Sequence, residues 1–382
     1  MKKKLWTFLS YVLVAALSTA LTLGVVSRFD LGSSKLEELS GIIEDFYIED
    51  VDMTVLEDTA AEAMVKAAGD RWSYYIPASE YASYKETSEN AYVGIGITIT
   101  VAHDGDGLQV MQVNPGSSAE EAGIMVDDVI IAIDGHAASG MNTTDARNLV
   151  RGKEGTAVEI TVRRGGEKIT MSVTRRTVQV AVATWEMLED QIGLITITNF
   201  DDRCASETIA AIEALLADGA EKLIFDVRNN PGGFAHELVK LLDYLLPEGE
   251  LFRTVDYAGR EDVDKSDADF LDIPMAVLVN GESYSAAEFF AVALQEYGAA
   301  TVVGEKTSGK GYFQTTFTLS DGSAVALSIG KYFTPNGISL EGVGITPDVE
   351  VPVDEETMLS IYYGQLQPEE DPQILAAMEA LQ

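Results

Sequence analysis

The sequence has little histidine, cysteine or positive charge. Its 382 residues include three histidines (His103, His136 and His236) and one cysteine, Cys204. One cysteine cannot form an internal disulfide, and we expect it to be a small apolar residue on a helix. The chain has 26 Lys and Arg against 62 Asp and Glu, a formal net charge of −36. Such acidity argues against nucleic acid as a partner bound through charge.

Charge is also missing from residues 5–26, which follow three lysines in residues 1–4. An uncharged run of about 22 residues can span the ~30 Å core of a bilayer, and lysines before it favour a cytoplasmic N-terminus. We therefore expect residues 1–28 to be a cytoplasmic lysine cluster and a single transmembrane anchor in the cell membrane. The rest of the chain would lie outside the cytoplasm. A cleaved signal peptide, with its cleavage site near the small residues of 16–20, is the alternative.

A strand followed by a helix is predicted around Ser285. The apolar run from Ala276 to Val279 is typical of a buried strand, and Asn280 and Gly281 end it. A helical pattern of apolar residues follows and continues to Gly298. Ser285 thus lies where a helix begins, beside free backbone N–H groups that can hold a developing oxyanion. This is a favourable place for a nucleophile.

A serine nucleophile needs a base, and the segment 275–314 contains no histidine. Lys310, between Gly309 and Gly311, is the other plausible base. An ordinary lysine with a pKa of ~10.4 is protonated at neutral pH, and desolvation would have to bring the pKa toward 7–8. From chemistry alone a Ser–Lys dyad, a merely solvated loop lysine and a histidine mechanism using His236 all remain open.

Several motifs together resemble the C-terminal processing peptidases, a family of tail-specific serine proteases with a PDZ domain. The segment SYSAAE (283–288) is similar to the family's SASASE, and GKGYFQ (309–314) to its lysine loop. The segments DRWSYY (70–75), IFDVRNNPGG (224–233) and GVGITPDVEV (342–351) match further motifs in the family's order. The resemblance implies that Ser285 is the nucleophile, Lys310 the base and Gln314 the residue that orients Lys310.

The resemblance also implies an oxyanion hole. In the family a glycine N–H joins the amide that follows the nucleophile, which here is Ala286 with Gly232 or Gly233. The chain departs from the family pattern at Tyr284, which replaces a small residue and could narrow the substrate site. It also has Ser308 in place of an aromatic residue. Glu296 stands in place of the more common Asp, and we expect Glu296 to support the local structure.

Residues 91–180 are predicted to form a PDZ domain. Strand-like segments alternate with turns, and NPGSSAEEAGIMVDDVIIAIDG (114–135) resembles the turn, helix and strand of that module. A glycine-bearing loop would converge its N–H groups on a terminal carboxylate, while an apolar pocket reads the last side chains. Protein or peptide substrates with apolar C-termini are therefore expected. The predicted binding residues are Val93, Gly94, Ile95, Gly96 and Ile97, with Arg151 as the family's substrate sensor.

The predicted chain is multidomain. An N-terminal helical region (29–90), with helices near 36–48 and 55–68, follows the anchor, and the resemblance implies that it makes dimer contacts. The β-rich PDZ domain (91–180) precedes an α/β serine protease core (181–353), and an acidic helical tail (354–382) ends the chain.

The predicted function is a serine endopeptidase that recognises the C-terminal tail of exported proteins and needs no cofactor and no metal. A membrane-tethered PDZ scaffold with an inactive protease domain is the alternative from another class. A phosphate-binding loop at GEKTSGK (304–310) is rejected, because Gly311 replaces the Ser or Thr that would hold Mg²⁺.

Overall fold

The structure, a computed structural model, describes residues 35–103, 105–362 and 365–382. The chain divides into two compact units, with the boundary after Tyr75. In the described part of the chain no helix is long and apolar enough to cross a bilayer. The predicted transmembrane anchor at 5–26 lies outside the described residues.

The first unit contains two helices, Lys35–Phe46 and Met53–Lys66. The second helix begins at Asp52, whose carboxylate accepts the backbone N–H of Thr54 at 2.9 Å and of Val55 at 3.3 Å. Such a cap satisfies two of the backbone donors that a helix start leaves free. A short strand, Tyr74–Ile76, spans the boundary, and the second unit begins with the helix Ala78–Ser88.

The segment predicted to be the PDZ domain is an antiparallel sheet with two helices. Its strands are β3 (Ile97–Val101), β4 (Leu108–Val113), β5 (Val129–Ile133), β7 (Ala157–Arg164) and β8 (Glu167–Thr174), in that order across the sheet. A small strand β6 (His136–Ala137) pairs with β5, and β2 (Ala91–Gly94) pairs with β9 (Arg176–Gln179). The helices are Ser118–Ala122 and Thr143–Val150. Alternate apolar side chains of the sheet form one buried core.

The segment predicted to be the protease core, 181–353, is built on a six-stranded sheet. Its order is β10 (Ala183–Met187), β11 (Ile192–Ile197), β12 (Lys222–Asp226), β15 (Met275–Val279), β16 (Ala300–Gly304) and β19 (Val349–Glu350). All neighbours are parallel except β10, which pairs antiparallel with β11 at one edge. Parallel strands are buried on both faces, which explains why β15 reads as a continuous apolar run.

Each face of this sheet packs on different helices. One face, with Phe225 and Val277, packs on the helices Cys204–Ala217, Ala235–Leu245 and Ala286–Glu296. The other face, with Ile224 and Leu278, is covered by the helix Pro372–Ala380, which we call the tail helix. The tail helix, which lies within the predicted helical tail, therefore packs on the core sheet.

The remaining elements flank the core. A second sheet, antiparallel throughout these strands, contains β17 (Tyr312–Thr318), β18 (Ala324–Phe333), β13 (Gly249–Asp256) and β14 (Glu261–Ser266). The short helical segments are Glu189–Gln191, Glu355–Tyr362 and Pro368–Glu370. Because β12 and β15 are parallel neighbours, the loops that follow them, 227–234 and 280–285, leave from the same edge of the core sheet.

Candidate active site

Ser285 occupies a strained turn between β15 and the helix Ala286–Glu296. Its backbone has φ 58° and ψ −126°, a region that a non-glycine residue enters at a cost of about 1–3 kcal/mol. The residue is 8% exposed. A sharp strand-to-helix turn of this kind presents a hydroxyl at the start of a helix, as in the nucleophile elbow of hydrolases. The sequence GESYS departs from the elbow consensus, but its backbone adopts a comparably sharp turn.

Glu288, one turn into the helix, connects Ser285 to the loop of Lys310. Its side chain is fully buried and accepts four hydrogen bonds. Oε2 accepts the backbone N–H of Ser285 at 3.0 Å and that of Lys310 at 2.8 Å. Oε1 accepts the backbone N–H of Gly309 at 2.8 Å and the hydroxyl of Thr307 at 2.5 Å. A single carboxylate oxygen thus joins the backbones of the two predicted catalytic residues.

The buried position of Glu288 also affects its protonation. Burial raises the pKa of this carboxyl above its usual value, and the hydrogen bonds from Thr307, Lys310, Gly309 and Ser285 oppose that rise. Hydrogen bonds donated to a carboxylate favour its charged form. The four donors therefore offset part of the cost of keeping a negative charge at this position.

Lys310 is half-buried and lies beside Tyr284, the residue before Ser285. Its Nζ atom is 5.7 Å from the centre of the Tyr284 ring. Gln314 is on β17, and its side-chain amide donates to Ser328 Oγ at 3.1 Å and to the Tyr312 carbonyl oxygen at 3.2 Å. Neither bond involves Lys310, so the expected contact between Gln314 and Lys310 stays a prediction.

Gly232, in the loop that follows β12, lies against Ser285. A Cβ atom on Gly232 would be 2.7 Å from Ser285 Cβ and 2.8 Å from Ala286 N. Gly232 has φ 86°, and its N–H donates to Asn230 Oδ1 at 2.8 Å. Gly233 N–H has no hydrogen-bond partner among the described residues. The missing side chain of Gly232 allows the loop to approach Ser285 closely, and that of Gly233 allows it to approach the backbone of Phe200 and Asp201.

Asn230 holds the loop 227–234 in place relative to Ser285. Its carbonyl oxygen accepts the backbone N–H of Tyr284 at 3.1 Å, and its side-chain amide donates to the Ile197 carbonyl oxygen at 2.7 Å. Nearby, the Ser283 hydroxyl donates to the Val227 carbonyl oxygen at 2.7 Å. The loops after β12 and β15 are thus connected by direct hydrogen bonds, so their positions are coupled.

A groove of about 320 Å³ lies between the glycine loop of the PDZ domain and the helix Thr143–Val150. Gly94, Ile95, Gly96 and Ile97 line it, together with Arg151, while Val93 lies outside the lining and pairs with Thr177.

Arg151 makes contacts of its own at one end of this groove. It forms an ion pair with Glu86 at 3.0 Å and lies 5.3 Å from the centre of the Tyr92 ring. Arg151 therefore contacts the helix Ala78–Ser88 as well as the groove.

Comparison with known proteins identifies the family. The model of Peptidase family S41 matches residues 191–351, and the model of the PDZ domain matches residues 109–164. The carboxy-terminal processing protease CtpA of Bacillus subtilis is 33% identical over 373 residues, which cover 94% of this chain and 80% of that protein. The chain belongs to peptidase family S41.

Two solved structures are similar to this S41 peptidase. The photosystem II D1 C-terminal processing protease is 29% identical, with 85% of this chain and 90% of that one covered and a TM-score of 0.48. An S41-family protein of Bacteroides fragilis is 16% identical, with 90% and 96% covered and a TM-score of 0.53, which is a likeness of fold. The predicted resemblance is confirmed: the chain is a serine-type endopeptidase of the C-terminal processing protease family with a PDZ domain.

Two residues considered from the sequence have other environments in the S41 peptidase. His236 is stacked on Phe234 with 5.3 Å between ring centres, and its Nε2 atom is 3.5 Å from the Glu237 carboxylate. Its side chain is 60% exposed and has no hydrogen bond to Ser285 among the described residues. Glu296 accepts the hydroxyl of Thr334 at 2.8 Å and the backbone N–H of Asn336 at 2.7 Å.

Glu288 is the site residue that the sequence analysis passed over. Glu288 is the last residue of the segment SYSAAE (283–288), but its hydrogen bonds were not predicted from the sequence. The signal was present, because a Ser followed three residues later by Glu at a helix start is the capping-box pattern. That pattern predicts a hydrogen bond from the Ser285 N–H to the Glu288 carboxylate, which the structure contains.

Proposed function

We propose that this S41 peptidase cleaves its substrates with a dyad of Ser285 and Lys310. The observation that carries the proposal is the shared acceptor, Glu288 Oε2, which brings the backbones of both residues to one atom. In the reaction, neutral Lys310 Nζ takes the proton of the Ser285 hydroxyl as Oγ attacks the scissile carbonyl carbon. The same amine then returns the proton to the leaving amine when the peptide bond breaks.

Backbone amides hold the oxyanion of the tetrahedral intermediate. One donor is Ala286 N–H at the first turn of the nucleophile helix, where backbone donors are not used within the helix. The second is Gly233 N–H, because the Gly232 N–H is already donated to Asn230. Gln314 orients Lys310 after a change of hydrogen-bond partner from Ser328.

The PDZ groove captures the free C-terminus of the substrate. The backbone N–H groups of residues 94–97 bind the terminal carboxylate, and the apolar part of the groove accepts the last side chains. Arg151 reports occupancy of the groove by exchanging its ion pair with Glu86 for contact with the bound chain. The substrates are exported proteins with apolar C-termini.

The enzyme acts outside the cytoplasm and is held at the cell membrane by residues 5–26, as the lysines before that uncharged run indicate. The helical region 29–90 pairs two copies into a homodimer. If residues 5–26 anchor the enzyme, its extraction from membranes should require detergent. If the helical region forms a homodimer, light scattering of the protein without residues 1–28 should give the mass of two copies.

Cleavage of an unfolded protein with an apolar C-terminus tests the dyad. Ser285→Ala and Lys310→Ala should each abolish cleavage while circular dichroism remains that of the wild type. His236→Ala should retain substantial activity. An inactive but folded His236→Ala protein, or an active Lys310→Ala protein, would overturn the dyad and return the histidine mechanism. No cleavage by the wild type under any condition would favour a scaffold.

The pH dependence of cleavage adds a second test of the base. The rate should rise through an apparent pKa well below the ~10.4 of free lysine. A rate that still climbs near pH ~10 would contradict a desolvated amine as the base.

A further inference from the structure

A buried group of charges joins the loop after β12 to the C-terminal segment. The side chain of Arg228 is 3% exposed and donates to both carboxylate oxygens of Asp226, with Nε at 2.9 Å and Nη2 at 2.6 Å. Its Nη1 lies 2.8 Å from Asp371 Oδ2 and donates to Gln373 Oε1 at 2.9 Å. The side chain of Asp371 is 4% exposed. Four side chains from two distant parts of the chain are thus buried together.

Asp371 is not required merely to neutralise Arg228. Asp226 alone supplies one negative charge and a two-point contact, the strong geometry for a guanidinium group. Asp371 adds a second carboxylate at the other end of the guanidinium and gives the group an excess negative charge. Burying this additional charge is costly, so the position of Asp371 must serve more than charge balance.

The position of Arg228 is transmitted to the glycine pair within a few residues. The next residue, Asn229, exchanges two hydrogen bonds with Asn280, which ends β15. The residue after it, Asn230, accepts the Gly232 N–H and the Tyr284 N–H. A displacement of Arg228 therefore moves the segment that lies against Ser285.

We propose that Asp371 is a positioning residue for catalysis: from the C-terminal segment it holds Arg228, and through Arg228 it sets the glycine loop that faces the nucleophile. This inference rests on the proposed function, because it assumes that the glycine loop supplies an oxyanion donor. Displacement of a catalytic group by 1 Å can reduce a rate by about 10²-fold. The C-terminal segment is thus part of the active-site support.

The decisive variant is Asp371→Asn in the full-length enzyme. Asp371 also begins the tail helix, with Oδ1 accepting the N–H of Gln373 and of Ile374. Asparagine retains that capping role and removes the charge that faces Arg228. We expect kcat for a peptide substrate to fall by about 10-fold or more with KM unchanged. The affinity for a peptide aldehyde, which forms an oxyanion on Ser285, should fall by the same factor.

Ile374→Val is the matched control. It weakens the apolar contact of the same helix with the core sheet and does not touch Arg228. It should lower the resistance to urea while leaving kcat and aldehyde affinity unchanged. Asp371→Glu, which restores the charge, should recover part of the lost kcat.

The outcomes separate this inference from the dyad. A folded Asp371→Asn enzyme with wild-type kcat, or with losses equal to those of Ile374→Val, would refute the positioning role alone. If instead Ser285→Ala still cleaves, the dyad is overturned, and the positioning role, which assumes that nucleophile, is overturned with it.

Discussion

The substitution Glu288→Gln gives the sharpest test of how the active site is held. A carboxylate offers acceptors at both oxygens, and here each oxygen accepts two bonds. A glutamine has one oxygen and one NH₂ group. Whichever way the amide turns, its NH₂ group faces two of the four donors.

The cost follows from counting those donors. Two charge-assisted hydrogen bonds are lost at about 1.5–3 kcal/mol each, so the free energy of unfolding should fall by about 3–6 kcal/mol. That is a large part of the ~5–15 kcal/mol that stabilises a typical domain. In one orientation of the amide the displaced donors are the N–H groups of Ser285 and Lys310. In the other they are the Gly309 N–H and the Thr307 hydroxyl, which hold the loop of Lys310. In either case kcat should fall by about 10²-fold in the molecules that remain folded.

Urea unfolding and peptide cleavage by the folded fraction measure the two effects. Glu296→Gln is the matched control on the same helix: each of its oxygens accepts one bond, and its partners are Thr334 and Asn336. It should cost about 1–2 kcal/mol and leave kcat unchanged. If Glu288→Gln does not fold, Thr307→Val removes one of the four donors and should reduce kcat more mildly. Wild-type kcat in folded Glu288→Gln would refute the reasoning.

Three further predictions use other parts of the molecule. Gly232→Ala should abolish cleavage because its Cβ would collide with Ser285, whereas Gly219→Ala, also at positive φ but with open space around it, should cost about 1–2 kcal/mol of stability and no activity. Burial, with the neighbouring Asp202 carboxylate, raises the pKa of Asp201 to about 7. Below the unfolded pKa of ~3.9 the carboxyl is neutral in both states, and its contribution to the free energy of unfolding is fully present. That contribution is lost as the pH rises to ~7, because the carboxyl ionises more readily in the unfolded chain. Asp201→Asn should therefore be more stable than the wild type by about 2–4 kcal/mol near pH 8, with the gap closing toward pH 4 in urea titrations; a constant gap would contradict this. Amidation of a peptide's C-terminus should weaken its binding to the groove by more than tenfold, measured by calorimetry, and equal affinities would exclude carboxylate recognition there.

Local patterns predicted the parts of the fold whose causes are local. The apolar run before Asn280 and the helical spacing after Ser285 gave the strand and the helix that the structure contains, Met275–Val279 and Ala286–Glu296. Within the helical tail predicted for 354–382, the structure contains the helix Pro372–Ala380. In each case neighbouring residues determine the backbone, so periodicity was sufficient.

What the sequence did not reveal depends on contacts between distant residues. The pairing of Arg228 with Asp371 joins segments that no local pattern connects. Gln373, the other partner of Arg228 in the C-terminal segment, follows it by 145 positions. The placement of Val93 outside the groove depends on its pairing with β9. The hydrogen bonds of Gln314 depend on the register between β17 and β18. Such features require the folded chain.

The tail helix has a consequence for the order in which the enzyme is made. The ribosome adds Ile374 and Ala377 after every strand of the core sheet, yet these residues cover one apolar face of that sheet. Until they emerge, a nascent chain exposes Ile224, Ala276 and Leu278 to water, and Arg228 lacks one of its two carboxylate partners. The core sheet is therefore covered on both faces only after residue 377 has left the ribosome.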